Sequence, residues 1–282
     1  MLLRLWMAAS AALALAQLPA SSSAQEPAPS LGRRLKIITG GDAAAVEAAQ
    51  KAVSNQQAYA RRHGYGHEVH VGNYAAPWAP YWHKIHALLR ELQAPAPPGV
   101  APEVLVWMDL DVVVTNPLQR MLERALAAHP EATVLLTEDP LRGDVLPAVG
   151  RAKRLVNTGV VLVRRGQEAE RLLERLFAYG RRHGAAAYMP QDTGTLHEQD
   201  AFNWLLGGPL GRMLRRHVAV LPQRQGALNL NTFARGIYDE AYKDPAAAEW
   251  VPGDFAAHCS GLRPQQRGWC LEDACAAAEA AE

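Results

Sequence analysis

Two aspartates one residue apart, Asp109 and Asp111, interrupt an apolar run, with Val104-Leu105-Val106-Trp107-Met108 before them and Val112-Val113-Val114 after. A run of this length, rich in β-branched residues, reads as a buried strand. In an extended chain residues i and i+2 share a side, so Asp109 and Asp111 are expected to face one way and Leu110 the other. Two like charges on a buried strand repel and are costly to desolvate. A divalent cation offsets that cost. The natural candidate is a hard, oxygen-liganded ion, Mn²⁺ or Mg²⁺, with a phosphate supplying further ligands. An isolated Asp-x-Asp more often marks a solvated turn, but a solvated turn does not need apolar flanks on both sides.

The elements around the pair alternate. Leu35 to Thr39 is expected to be a strand, closed by Gly40-Gly41, with Asp42 capping an Ala-rich helix that runs to about His63. A strand, a glycine turn and a helix N-terminus make a phosphate-friendly corner, although most Gly-Gly pairs are simply turns. Glu68 to Val71 is a second strand. The next helix starts near Pro80 and carries Trp82, Ile85, Leu88, Leu89 and Leu92 at helical spacing. A proline-rich loop, Ala94 to Pro102, leads into the Asp-Leu-Asp strand. Pro117 opens a helix to about Ala128, and strands over Ala132–Leu136 and Leu155–Val163 follow. Gln167–Arg182 and Glu198–Leu206 are helical, and Val218–Leu221 is a last strand. Alternation of this kind predicts an α/β domain with a mostly parallel sheet. Gly184–Thr195 and Gly226–Lys243 read as long mobile loops, a common place for lids.

Composition bounds the function classes. The chain has 282 residues, 49% hydrophobic and 20% charged, which suits one globular domain behind a leader. Its net charge of +1 gives no reason to expect nucleic-acid binding. Arg4, the apolar stretch Leu5–Leu18 and the small residues around Ala20 and Ala24 have the form of a secretory signal peptide over residues 1–24, with a short signal-anchor as the alternative. Residues 25–34 are expected to be a disordered linker, 35–265 the domain and 266–282 a C-terminal tail. Cys259, Cys270 and Cys275 have no zinc-ligand spacing. In an oxidising lumen they predict one disulfide and one free thiol, with the pairing open.

Four further segments stand in order around the aspartate pair: Tyr81-Trp82-His83-Lys84, Asn157-Thr158-Gly159-Val160-Val161-Leu162, Glu198-Gln199-Asp200-Ala201-Phe202-Asn203, and Pro252-Gly253-Asp254-Phe255-Ala256-Ala257-His258-Cys259-Ser260-Gly261. The ordered set, from about Leu35 to Gly261, resembles the family 34 glycosyltransferases, a galactosyl-, mannosyl- and xylosyltransferase group of the GT-A superfamily. The resemblance implies a single GT-A, Rossmann-like domain that uses a nucleotide-diphosphate sugar as donor and a glycan as acceptor. It implies Asp109, Asp111 and His258 as ligands of Mn²⁺ or Mg²⁺. Thr39 and Gly40 would border the nucleotide, Lys84 would partner the donor or its phosphates, and Gly261 would let the backbone approach the diphosphate. Asn157 would contact the donor or acceptor sugar. Glu198-Gln199-Asp200 corresponds to an acidic-Gln segment beside the reacting sugar. It is commonly Asp-Gln-Ser in the family, so the extra carboxylate of Asp200 leaves open which side chain faces the anomeric carbon. The resemblance also implies retention of anomeric configuration, while the leader and the late cysteines place the mature domain in the secretory pathway, in the Golgi lumen or secreted.

Other functions fit the residues less well. A glycoside hydrolase uses two carboxylates several ångströms apart across the scissile bond, and Asp109 and Asp111 are too close for that. A secreted carbohydrate- or Ca²⁺-binding module would bring further acids near the pair, yet the next is Glu123. A sugar-nucleotide nucleotidyltransferase would carry a long Gly-rich basic first loop, where this chain has Gly40-Gly41 followed by Asp42 and alanines.

Overall fold

The computed structural model describes residues 34–72, 78–95, 101–142, 154–183, 197–208, 211–223, 228–234, 249–262 and 264–281. The expected leader, the linker through residue 33, the loop 184–195 and most of 226–243 lie outside them. The central sheet has six strands. In chain order these are β1 (Leu35–Gly41), β2 (Gly66–Val71), β3 (Val104–Met108), β5 (Val134–Arg142), β6 (Arg154–Arg164) and β7 (Val218–Leu221), arranged β2-β1-β3-β6-β5-β7. All run parallel except β6, which is antiparallel to β3 and β5. The α/β class and the mostly parallel sheet are therefore as expected.

Helices cover both faces of the sheet, and the central strands show why their sequences are apolar without interruption. Leu105 and Trp107 of β3, with Val161 and Val163 of β6, pack against Trp82, Ile85, Leu88, Leu172, Leu176 and Phe202. Val104, Val106 and Met108, with Val160 and Leu162, pack on the other face against Tyr59, Leu122 and Ala125. Strands buried on both faces need no polar alternation.

Helix α1 (Ala43–Ala48) is capped by Asp42, whose Oδ1 accepts from Ala45 N–H at 2.8 Å. It breaks at Ala49, and α2 (Gln50–His63) continues, where one helix was expected. No Gly or Pro announces the break. Helix α2 ends on Gly64 at φ 72°, a left-handed cap that glycine adopts without strain. Helix α3 (His83–Gln93) follows a 3₁₀ turn at Pro80–Trp82. Pro117 does not open a helix. It sits second in a β-turn closed by Gln119 N–H to Asn116 C=O at 3.2 Å, and α4 starts later, at Met121–Ala128.

A second, three-stranded sheet joins β4 (Val112–Val114), β8 (Thr232–Phe233) and β9 (Ala256–His258) in the order β4-β9-β8. Helices α5 (Gln167–His183), α6 (Glu198–Gly207) and α7 (Gly211–Leu214) complete the body. The stretch set aside as a C-terminal tail belongs to α8 (Pro264–Ala280), which packs Leu271 and Ala274 against Val113, Ala257 and Ala52. A Cys259–Cys270 disulfide ties this helix to the residue after β9, leaving Cys275 as the free thiol.

Candidate active site

The Asp109-Leu110-Asp111 segment is a turn, not a continuous strand. Strand β3 ends at Met108 in the large sheet and β4 begins at Val112 in the small one, so one apolar run serves two sheets. Strand alternation therefore does not set the direction of the two carboxylates. What aligns them is a turn held from several sides. Asp109 N–H donates to Gly159 C=O at 2.8 Å, Val112 N–H to Asp109 C=O at 3.1 Å, and Cys259 N–H to Asp111 C=O at 2.9 Å. From α2, buried Gln56 donates through Nε2 to the carbonyls of Asp109 and Val112, each at 2.9 Å.

This turn faces His258, the last residue of β9, which is only 1% exposed. One ligand atom from each of Asp109, Asp111 and His258 lies within 4.8 Å of the others. His258 Nε2 stands 3.2 Å from Asp111 Oδ1 in an alignment too poor for a hydrogen bond, so this buried nitrogen beside two carboxylates has no hydrogen-bond partner among the described residues. Neutral imidazole with two carboxylates is a donor set suited to Mn²⁺. The ring is held from behind: a Cβ at Gly159 would come within 2.3 Å of His258 Cε1. Burial pushes the Asp109 carboxyl up, and the neighbouring Asp111 charge adds to this against the pull of Lys84. At Asp111 burial also disfavours the charge, but His258, then Arg267 and Lys84, outweigh it and hold that carboxyl low. Among the described residues a second set, Glu68, His70 and Glu91, could also converge on a cation. There the Lys36 ammonium already lies 2.6 Å from each carboxylate.

Lys84 enters from the first turn of α3, only 5% exposed. Its Nζ lies 3.0 Å from Asp109 Oδ1 and 2.9 Å from Glu198 Oε1, and donates to Thr158 C=O at 2.9 Å. Burial opposes its charge, but the two carboxylates overcome this and keep it protonated above the usual lysine range. Glu198, the first residue of α6, also accepts from Thr158 Oγ1 at 2.7 Å.

Gln199 and Asp200, adjacent in sequence, point to different tasks. Gln199 Oε1 accepts from Asn157 Nδ2 at 3.2 Å and Thr158 N–H at 3.3 Å, while its Nε2 donates to Asp139 Oδ2 at 3.1 Å. Asp200 closes a capping box instead: its carboxylate accepts from His197 N–H at 3.1 Å, and the His197 side chain accepts from the Asp200 backbone. Burial raises the Asp200 carboxyl. Asn157 donates to Asp139 at 3.3 Å, and its Oδ1 accepts from Gly159 N–H at 2.8 Å and Asn231 Nδ2 at 3.0 Å.

One network thus gathers Lys84, Asp109, Asn157, Glu198 and Gln199, and Asn231 links it to His258 and so to Asp111. Thr39 and Gly40 lie apart from it at the end of β1, the strand beside β3. The Thr39 side chain is fully enclosed, and a Cβ at Gly40 would come within 2.2 Å of the His70 carbonyl, so its small size serves strand packing. Gly261 lies three residues beyond His258 with φ 72°, a left-handed conformation that favours glycine.

Sequence reasoning passed over Asp139 and Asn231. Asp139 follows Val134-Leu135-Leu136 much as Asp109 follows its own apolar run, a signal that was available. Asn231 lay in the stretch read as a mobile loop. It is fully buried, next to Thr232 and Phe233 of β8, and nothing local in its sequence marks it.

Residues 37–269 match the galactosyl transferase GMA12/MNN10 family. The chain belongs to this family, the family 34 glycosyltransferases. It is a glycosyltransferase of the hexosyl/pentosyl class. The fold is shared with a glycosyltransferase involved in glycosylation of the major capsid of PBCV-1, at TM-score 0.58 and 16% identity, covering 85% of this chain and 98% of that one. It is also shared with the galactosyltransferase LgtC, solved with donor and acceptor sugar analogs, at TM-score 0.54 and 14% identity, covering 87% and 95%. No curated protein matches by sequence. GT-A glycosyltransferases take nucleotide-sugar donors and usually a divalent metal.

Proposed function

We propose that this glycosyltransferase is a metal-dependent, retaining enzyme. It moves a hexose or pentose from a nucleotide-diphosphate sugar to a glycan hydroxyl in the secretory lumen, with the Golgi as its compartment. The observation that carries the reading is the convergence of Asp109, Asp111 and the orphaned Nε2 of His258. These three would hold Mn²⁺ or Mg²⁺. Bound there, the cation would offset the charge that builds on the leaving diphosphate.

The chain's own residues do the rest. Lys84 fixes Asp109 and Glu198 in place and adds positive charge on the donor side of the site. Gln199 presents a neutral amide to the reacting sugar, held at one end by Asp139 and at the other by Asn157 and the Thr158 backbone. A neutral group there can stabilise an oxocarbenium-like state without trapping it. The acceptor hydroxyl is brought to the anomeric carbon, and its proton passes to the leaving phosphate, so positioning supplies much of the rate. Thr39, its side chain enclosed, and Gly40 would border the nucleotide only through their main chain, and Gly261 would lie beside the diphosphate. Residues 1–24 act as the leader, and 25–34 are the linker ahead of the catalytic domain. The Cys259–Cys270 disulfide supports an oxidising compartment. No described helix is long and apolar enough to cross a membrane.

The test is Mn²⁺-stimulated hydrolysis and transfer across a panel of UDP- and GDP-sugars, comparing the parent with Asp111→Asn. The substitution should abolish turnover with the fold intact. Full activity of the variant, or of the parent in excess EDTA, refutes the metal assignment. An inverted anomeric product refutes retention.

A further inference from the structure

Asn231 connects the metal-facing histidine to the sugar-facing amides. It is fully buried just before β8, and its main-chain carbonyl is fixed by Gln223 Nε2. Its Nδ2 lies 3.1 Å from His258 Nδ1 and donates to Asn157 Oδ1 at 3.0 Å. Its Oδ1 is buried and has no hydrogen-bond partner among the described residues. A buried amide oxygen left unpaired costs about 1–3 kcal/mol. A second state of the site could pair this oxygen.

The imidazole shows what that state is. Facing the Asn231 N–H₂, His258 Nδ1 must accept, which places the ring proton on Nε2, toward Asp111. A cation at Nε2 takes the lone pair of that nitrogen, so the proton must sit on Nδ1 and Nδ1 must donate. Two donors cannot face each other. A half-turn of the Asn231 amide resolves the conflict, because it brings the orphaned Oδ1 to Nδ1–H. The same turn sets Asn231 Oδ1 against Asn157 Oδ1, two acceptors about the 3.0 Å of the present contact apart, so the Asn157 side chain must draw back.

Resting on the metal reading above, we infer that Asn231 orients His258 for the cation by accepting from Nδ1–H, its amide turning over when the ion binds. That displacement acts on the amide of Asn157, whose Nδ2 contacts both Gln199 and Asp139. Occupancy of the metal site is thereby transmitted to the residue proposed to face the sugar.

The experiment measures Mn²⁺ affinity by electron paramagnetic resonance in the absence of any sugar nucleotide, with thermal melts as a check on folding. Asn231→Leu removes the acceptor and should weaken Mn²⁺ by about 10–100-fold, the usual effect of losing an outer partner of a metal-bound histidine. Asn231→Ala carries the same expectation should the leucine variant misfold. Asn231→Asp keeps an acceptor and, ionised, can never donate, so it should hold Mn²⁺ at least as tightly as the parent. Aspartate binding as weakly as leucine, or leucine and alanine binding like the parent, overturns the role of Asn231. Asp111→Asn separates the two levels. If that variant binds Mn²⁺ normally, the metal reading itself has failed; if it loses Mn²⁺ while Asn231→Leu does not, only the orienting role has.

Discussion

Replacing Lys84 with methionine keeps most of the side-chain volume and removes one charge from the centre of the site. In the parent, the ammonium sits between Asp109 and Glu198, at 3.0 and 2.9 Å. Without it, Glu198 retains only the Thr158 hydroxyl at Oε1, while its Oε2 is buried with no hydrogen-bond partner among the described residues. Removing one partner of a buried ion pair costs about 3–5 kcal/mol. The cost is counted once, because Asp109 is a quarter exposed and keeps the Trp107 indole N–H as a donor. For a domain of this size each kcal/mol moves the melting midpoint by roughly 2–4 °C, so a drop of about 6–20 °C is expected. The sign with pH is also fixed. In the variant the Asp109 carboxyl, already pushed up by burial, loses the pull of Lys84 and rises further above its unfolded value. A carboxyl raised in this way is tolerated below the unfolded value and loses stability as pH rises through the folded one. The parent lysine, its pKa held up, contributes throughout this range and weakens only in strong alkali. Thermal melts in EDTA should therefore show a deficit that is larger at pH 8 than at pH 5. A shift under about 3 °C at pH 8, or one equal at both pH values, refutes the view that Lys84 neutralises a buried acid.

Three further outcomes are expected. Gly159→Ala pushes a methyl group into the His258 ring, where 2.3 Å is available, so Mn²⁺ titration should show weaker binding by roughly tenfold or more, in line with the loss of a histidine's proper orientation. Gln199→Ala should lower kcat by about 10²-fold with little change in donor KM, whereas Asp200→Ala should cost about 0.5–2 kcal/mol of helix capping and leave kcat near the parent value; the reverse order in steady-state kinetics would move the sugar contact to Asp200. Burial, helped by His70 and His86, depresses His83 to about 4, so between the unfolded value near 6.5 and 4 the unfolded chain binds the extra proton and stability is lost as pH falls. His83→Gln should flatten that part of a pH series of urea melts, by up to about 3 kcal/mol overall, and an unchanged slope would show that His83 protonates freely in the fold.

The legible parts of the molecule were those written in local pattern. The apolar run around Asp109 and Asp111 declared buried structure, and the helical spacing of Trp82, Ile85 and Leu88 declared the face of α3 that meets the sheet. Asp42 and Pro117 both carried turn or cap chemistry, but proline also favours the second position of a β-turn, and Gln119 closing onto Asn116 decided for the turn. The misread strand has a similar cause: eleven residues from Val104 to Val114 look continuous because both sheets demand apolar residues, and only pairing partners tell the sheets apart. Asn231 and Asp139 were illegible or overlooked for the opposite reason. Their significance comes from residues 74 and 60 positions away in sequence, Asn157 and Gln199, and no local pattern encodes such a meeting.

The pairing of β4 with β9 has a consequence for how the protein is made. Val114 meets Ala256, so the strand that closes the Asp109–Asp111 turn waits for a partner 142 residues further along the chain. At a synthesis rate of about 5–20 residues per second, that wait is roughly 7–30 s. Most of the large sheet can assemble meanwhile. The two aspartates, however, stay without their histidine until β9 emerges, and the helix that staples β9 comes later still. On the proposed metal reading, a nascent chain would lack its third ligand until about the last tenth of the domain is made.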